Sequence, residues 1–212
     1  YEGVWASEEG MVFEEYDPAI HMVDDEEVPN IKWYFGSFDK GLRHPGCLQI
    51  WGVSHDDQMY RVREYYQTGQ LQDWWAAQVD ECQQEYGLEA LVCDPSEPEY
   101  ISIFNDRLGN ARGRDGERIA RKASNAIMSG IDMTRWGFSE EDNGPRIFLV
   151  RNALMGRDTA RAEAKKPCCL EEELPSYVWM QSTDGRPVKE RPDPTCADHA
   201  VDCLRYAAMF LW

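Results

Sequence analysis

Three separate stretches of the chain place a carboxylate at the edge of an apolar run. "WYFGSFD" ends on Asp39 and "ALVCD" ends on Asp94, while the closing "DPTCADHAVDCLRYAAMF" carries Asp198, His199 and Asp202 beside an apolar stripe. Each has an ordinary structural explanation. Asp39 suits the opening of a turn. Asp94 suits a helix cap, with Pro95 in the first turn. Asp202 suits a surface pair with Arg205. Taken together, aspartates on a first strand, a later parallel strand and a last helix can converge at one point of a mixed sheet. Like charges a few Å apart repel strongly where water is excluded, so such a cluster stays ionised only if cations neutralise it. Carboxylates and water are the ligands that Mg²⁺ and Mn²⁺ prefer. Two such ions roughly 4 Å apart would activate a water and stabilise the leaving oxygen of a phosphodiester. Asp39, Asp94 and Asp202 are therefore candidate catalytic and metal-binding residues. Asp198 is a further candidate ligand, since helical phase lets both it and Asp202 face the cluster. His199 is a candidate orienting group, ligand or proton carrier.

The pattern of apolar residues shows which elements would carry these groups. Lys32–Asp39, Cys47–Ser54 and Met59–Gln67 read as three strands joined by "KGLRHPG" and "HDDQ", an antiparallel meander. Leu71, Trp75, Val79 (or Gln78), Cys82 and Tyr86 recur at helical spacing, with Gly87 as the stop. Glu89–Asp94 is a short buried strand that enters a further helix through a loop in which Ser96 is a candidate cap. That crossover makes the sheet mixed, and it puts Asp94 at a strand's carboxyl end, where open α/β sheets place ligands.

The Gly- and Arg-rich "RLGNARGRDGERIARKASNAIMSGI" reads as a loop running into a helix. Arg146–Asn152 reads as a strand, "RDTARAEAKK" as a helix and "SYVWMQSTDGRPVKERP" as a β-hairpin with "DG" at its tip. In the last helix Ala197, Val201, Leu204, Ala208 and Leu211 form the apolar face. Residues 1–30, acidic and interrupted by Pro18 and Pro29, read as an arm with a short strand at Met11–Phe13.

With 212 residues the chain fits one large domain and can bury a substantial core. The 39 acidic and 22 basic residues give a net charge of -17, which argues against non-specific nucleic-acid binding over the whole surface but leaves room for a local groove. The seven cysteines form no CxxC pair, so a structural zinc site is not expected, and several sit in apolar runs as small core residues. That usage suits a reducing compartment. No apolar run approaches a membrane span, and there is no Walker A loop, GxGxxG or internal repeat.

In their order along the chain, Asp39 followed by "KG", then "LVCDPSEPEYI", then "DHAVDCLRYA" resemble the nuclease domain of tailed-phage large terminases, the DNA-packaging motor proteins. The last motif is the most specific, because terminases commonly close this domain with a D-H-x-x-D-A-x-R-Y-like helix; Cys203 stands in place of the alanine. "GMVFEEYDP" is similar to the segment that joins motor to nuclease. The resemblance spans essentially the whole chain. It implies an RNase H/resolvase-like α/β fold, a mixed sheet of antiparallel meander plus parallel strands flanked by helices, with a C-terminal β-hairpin. It also implies metal-dependent endonuclease cleavage of double-stranded viral concatemer DNA at the initiation and termination of genome packaging. The cofactor would be Mg²⁺ or Mn²⁺, as a pair of ions, with the family's three acids mapping onto Asp39, Asp94 and Asp202 and with Asp198 and His199 adjacent.

On that resemblance residues 1–30 are a linker remnant from an absent ATPase domain of the same polypeptide, and residues 31–212 are the nuclease domain. The implied partners are double-stranded DNA, the portal protein of the procapsid and the small terminase subunit. The implied location is the host bacterial cytoplasm, transiently at the portal vertex, with no membrane involved. Candidate DNA contacts are Arg112, Arg114, Arg118, Arg121 and Lys122 in one segment and Arg186, Lys189 and Arg191 on the hairpin. Two other readings remain open: a non-catalytic docking module of the packaging motor, and a Holliday-junction resolvase of the same fold.

Overall fold

The computed structural model describes residues 10–41, 43–141, 144–182 and 187–212, with the backbone alone for Pro187 and Lys189. Among the described residues the strands are β1 (Met22–Val23), β2 (Ile31–Asp39), β3 (Pro45–Ser54), β4 (Met59–Thr68), β5 (Ala90–Cys93), β6 (Ala120–Lys122), β7 (Ile147–Val150), β8 (Trp179–Gln181) and β9 (Pro187–Pro192). The helices are α1 (Pro18–His21), α2 (Gln72–Tyr86), α3 (Pro98–Arg107), α4 (Ile127–Phe138), α5 (Thr159–Glu163), α6 (Leu170–Glu173) and α7 (His199–Leu211).

The first seven strands form one mixed sheet in the order β1-β7-β4-β3-β2-β5-β6. β2, β3 and β4 are the antiparallel meander; β5 joins β2 in parallel, β6 joins β5 in parallel, and β7 runs parallel to both β4 and β1. β3 lies at the centre and is buried along its whole length, which fits a strand covered on both faces rather than one alternating between core and water. One core, with Trp51, Phe35, Val201 and Leu204, lies under α4 and α7; the other, with Phe38, Trp75, Val79 and Phe104, lies under α2 and α3. α4 approaches closely because of its glycines: a Cβ on Gly137 would lie 2.5 Å from Ile147 Cδ1. The small hairpin β8–β9 pairs antiparallel apart from the main sheet. Its expected "DG" tip lies outside the described residues.

Some expectations need correction. Met11–Phe13 is not a strand: Met11 makes only an isolated bridge to Val178, while Val12 and Phe13 are buried by side-chain packing, Phe13 stacking on Tyr177. The strand of this segment is β1. Ser96 does not cap α3; Glu97 occupies the N-cap position, with Pro98 following it. Asp94 is not a helix cap either, since it accepts a hydrogen bond from Ser96 N at 2.9 Å in a local turn. β6, inside the stretch read as a loop, is a further strand; its three residues are too few to show a period. No helix among the described residues is long and apolar enough to cross a membrane.

Candidate active site

Asp39 is the last residue of β2, where a strand rich in aromatic residues meets the loop "KGLRH". Phe38 is in register with Cys93 of the parallel β5, and Asp94 N donates to Phe38 O at 2.9 Å, so Asp94 leaves β5 beside Asp39. Cys93 is in turn level with Lys122 at the end of β6. The carboxyl ends of three parallel strands thus present Asp39, Asp94 and Lys122 along one edge.

α7 crosses the sheet over β2 and β3. Cys203 Sγ donates to Cys47 O at 3.2 Å, and Cys47 pairs with Asp39 in the ladder, which seats the first turns of α7 over the aspartate. His199 Nδ1 lies 2.9 Å from Asp39 Oδ2. Asp202 Oδ1 accepts from Arg205 Nη2 at 2.6 Å and Nε at 3.2 Å. The pairing of Asp202 with Arg205 anticipated from the sequence is therefore real, but it is not a surface ladder, because Arg205 is buried. Asp198 occupies the N-cap position of α7 and makes no side-chain capping bond.

The electrostatics fit a confined acidic site. Burial pushes the Asp39 carboxyl up to about 7; the His199 hydrogen bond opposes that shift, and the charges of Asp202 and Asp94 reinforce it. Asp202 is raised as well, by burial against the opposing charge of Arg205, with Asp198 adding to the rise. For His199, burial lowers the pKa, but the hydrogen bond and charge of Asp39 outweigh it and the net shift is upward.

Two further groups sit here that the sequence did not single out. The exposed His44, in the loop after Asp39, places its ring centroid 6.0 Å from that of His199. The buried Glu173 of α6 accepts hydrogen bonds from the first turn of α7. His44 lies in a segment that reads only as a turn, and its residue type is the available signal. Glu173 ends the run "EEE", and nothing in the spacing marks its third member as buried.

The candidate DNA contacts are placed as follows. Arg112 donates to Gly116 O, Arg114 pairs with Glu89 and lies over the Trp33 ring, and Arg121 pairs with Asp115. Arg118 and Lys122 are exposed. Arg191, on β9, donates to Met180 Sδ. Arg186 and the side chain of Lys189 lie outside the described residues.

The sheet order, the flanking helices and the C-terminal hairpin make up the fold of the nuclease domain of bacteriophage large terminases. The large terminase of a thermophilic bacteriophage, in complex with ADP, matches with a TM-score of 0.69 at 19% identity, over 98% of this chain and 48% of that one. The P22 large terminase nuclease domain matches with a TM-score of 0.59 at 15% identity, over 94% of this chain and 91% of that one. The HK97 bacteriophage large terminase matches with a TM-score of 0.56 at 10% identity, over 86% and 40%. The chain spans about half the length of the thermophilic phage's protein. No protein-family model and no curated protein matches the sequence.

Among the described residues no three His, Cys, Asp or Glu side chains stand close enough, as placed, to hold a metal ion. The chemistry of the donor set nonetheless suits a hard divalent cation: the charges of Asp94, at the β5 end, and of Asp202, on α7, add to the burial that raises the Asp39 carboxyl to about 7.

Proposed function

We propose that this chain is a divalent-metal-dependent endonuclease that cuts double-stranded DNA, acting on viral concatemers at the initiation and termination of genome packaging. The observation that carries the reading is the convergence on Asp39 of Asp94 from a parallel strand and of His199 and Asp202 from the last helix. The likeness of the fold to terminase nuclease domains supports it. Asp39 and Asp94 would hold Mg²⁺ or Mn²⁺, with Asp198 and Asp202 as further donors from α7. Such a cation, or a pair of them, supplies Lewis-acid charge at a phosphodiester and lowers the pKa of a bound water.

The chain's own groups do the rest. When His199 Nδ1 donates to Asp39, the neutral ring keeps a lone pair on Nε2, able to accept a proton from an attacking water and return it to the leaving oxygen. Lys122, at the end of β6, and Arg118 supply positive charge to a DNA backbone that the acids alone would repel. In the full motor the chain would work with an ATPase domain of the same polypeptide, the small terminase subunit and the procapsid portal, in the host cytoplasm. Asp39→Ala and Asp94→Ala should each abolish Mn²⁺-dependent plasmid nicking while the domain stays folded; full nicking by purified Asp94→Ala protein would contradict the proposal.

One observation favours a second reading, a non-catalytic packaging module: each central acid is engaged locally, Asp39 by His199, Asp94 by Ser96 and Asp202 by Arg205. That reading expects Mn²⁺ calorimetry to show no binding that depends on Asp39 and Asp94.

A further inference from the structure

We infer that Glu173 is a positioning residue for the site: it caps helix α7 in place of Asp198 and so leaves the Asp198 carboxylate free to serve the cluster. The inference rests on the functional reading above.

Asp198 has the place of an N-cap, its carbonyl accepting from Asp202 N at 2.6 Å. Aspartate is among the preferred residues there because its carboxylate turns back onto the amides two and three positions on. Asp198 makes no such bond. The two amides, Ala200 N and Val201 N, donate instead to Glu173 Oε2 at 2.8 and 3.0 Å. Glu173 comes from another element and is fully buried, and its Oε1 accepts from the Tyr66 hydroxyl of β4 at 2.5 Å. Gln49 Nε2 of β3 donates to Ala200 O at 3.1 Å, so three elements hold this one turn.

Two consequences follow. The bonds that the Ala200 and Val201 amides donate to this buried side chain fix the height and angle at which α7 meets the sheet, and hence the seat of His199 against Asp39. The carboxylate at the N-cap position is also released from the task that normally consumes it. Without Glu173, the amides of Ala200 and Val201 lose their acceptor in a buried setting, and Asp198 is the residue whose position lets it cap them. Capping its own helix would withdraw Asp198 from the site.

The test joins Mn²⁺ calorimetry to thermal unfolding of the whole chain. Glu173→Ala, folded by circular dichroism, should bind Mn²⁺ about tenfold more weakly or worse, as losing an outer-shell support does. Glu173→Gln, which keeps an acceptor oxygen, should restore affinity to within about threefold on the same scale. Asp198→Ala in the wild-type background should leave the Tm unchanged, whereas losing a true N-cap would lower it by about 2–4 °C in a domain of this size. Wild-type Mn²⁺ affinity in folded Glu173→Ala, a tenfold loss in Glu173→Gln, or a Tm drop of that size in Asp198→Ala would each overturn the inference. If Glu173→Ala does not fold, the other two variants decide. If the wild-type chain binds no Mn²⁺, the metal reading fails and the Asp198→Ala unfolding measurement alone judges the capping.

Discussion

His199 Nδ1 stands 2.9 Å from Asp39 Oδ2 and ties the last helix to the first long strand across 160 positions of chain. The bond joins two groups whose proton affinities are both raised, Asp39 to about 7 and His199 above its ordinary value. The fold therefore prefers Asp39 protonated. That stabilisation is complete below the ordinary carboxyl value of 3.8 and is lost as the pH rises through about 7. The metal-free chain should accordingly lose thermal stability between about pH 4 and pH 7, and Asp39→Asn should lose less over the same window. Unfolding curves for the two proteins measured across that range check this; parallel profiles would contradict it.

The two acids of α7 should behave differently on removal. Asp202 is the partner of a buried guanidinium, so Asp202→Ala leaves Arg205 uncompensated and should cost about 3 kcal/mol or more. Denaturant unfolding gives the number, and a loss below about 1 kcal/mol would show that Arg205 needs no partner there.

The loop after Asp39 is set by Gly41. A Cβ at that position would lie 2.0 Å from Pro45 O and 2.3 Å from His44 O, both backbone atoms that cannot move aside. Gly41→Ala should destabilise the fold by about 1–3 kcal/mol and shift the turn that carries His44 toward His199. Denaturant unfolding and an NMR comparison of the His44 and His199 ring signals check both effects; unchanged stability and spectra would rule out the constraint.

Lys122 ends β6, level with Cys93 and next to Asp94 along the sheet edge, and is exposed; under the proposed function it contacts the DNA backbone. Lys122→Ala should weaken duplex binding equally across sequences and reduce the slope of log affinity against log salt by about 1. Arg121, held by Asp115, should show a smaller effect. Fluorescence anisotropy at several salt concentrations measures both, and an unchanged slope for Lys122→Ala would remove it from the interface.

The sequence conveyed the larger elements well. A period of 3.6 residues exposes α2 and α7 and alternation exposes β4, because one face of each carries the apolar residues, whereas β3 shows as a short apolar run because both its faces are covered. The two- and three-residue strands β1 and β6 are too short to carry a period, and Val12 and Phe13 fill the core from irregular backbone. At the site, the carboxylates that end apolar strands, Asp39 and Asp94, are visible because strand ends are where sheets present polar groups. Glu173 is hidden because its burial depends on the arrival of α7 from 27 residues away, a tertiary event with no local signature. His44 is hidden for a related reason, since its neighbour His199 is brought to it only by the packing of the helix.

The most direct measurement is an anomalous-scattering map of crystals of this chain soaked in Mn²⁺. A peak is expected at coordination distance, about 2.0–2.2 Å, from carboxylate oxygens of Asp39 and Asp94, with α7 supplying a further ligand. A map with no peak at Asp39, from crystals in which Mn²⁺ is well ordered elsewhere, would contradict the proposed metal site.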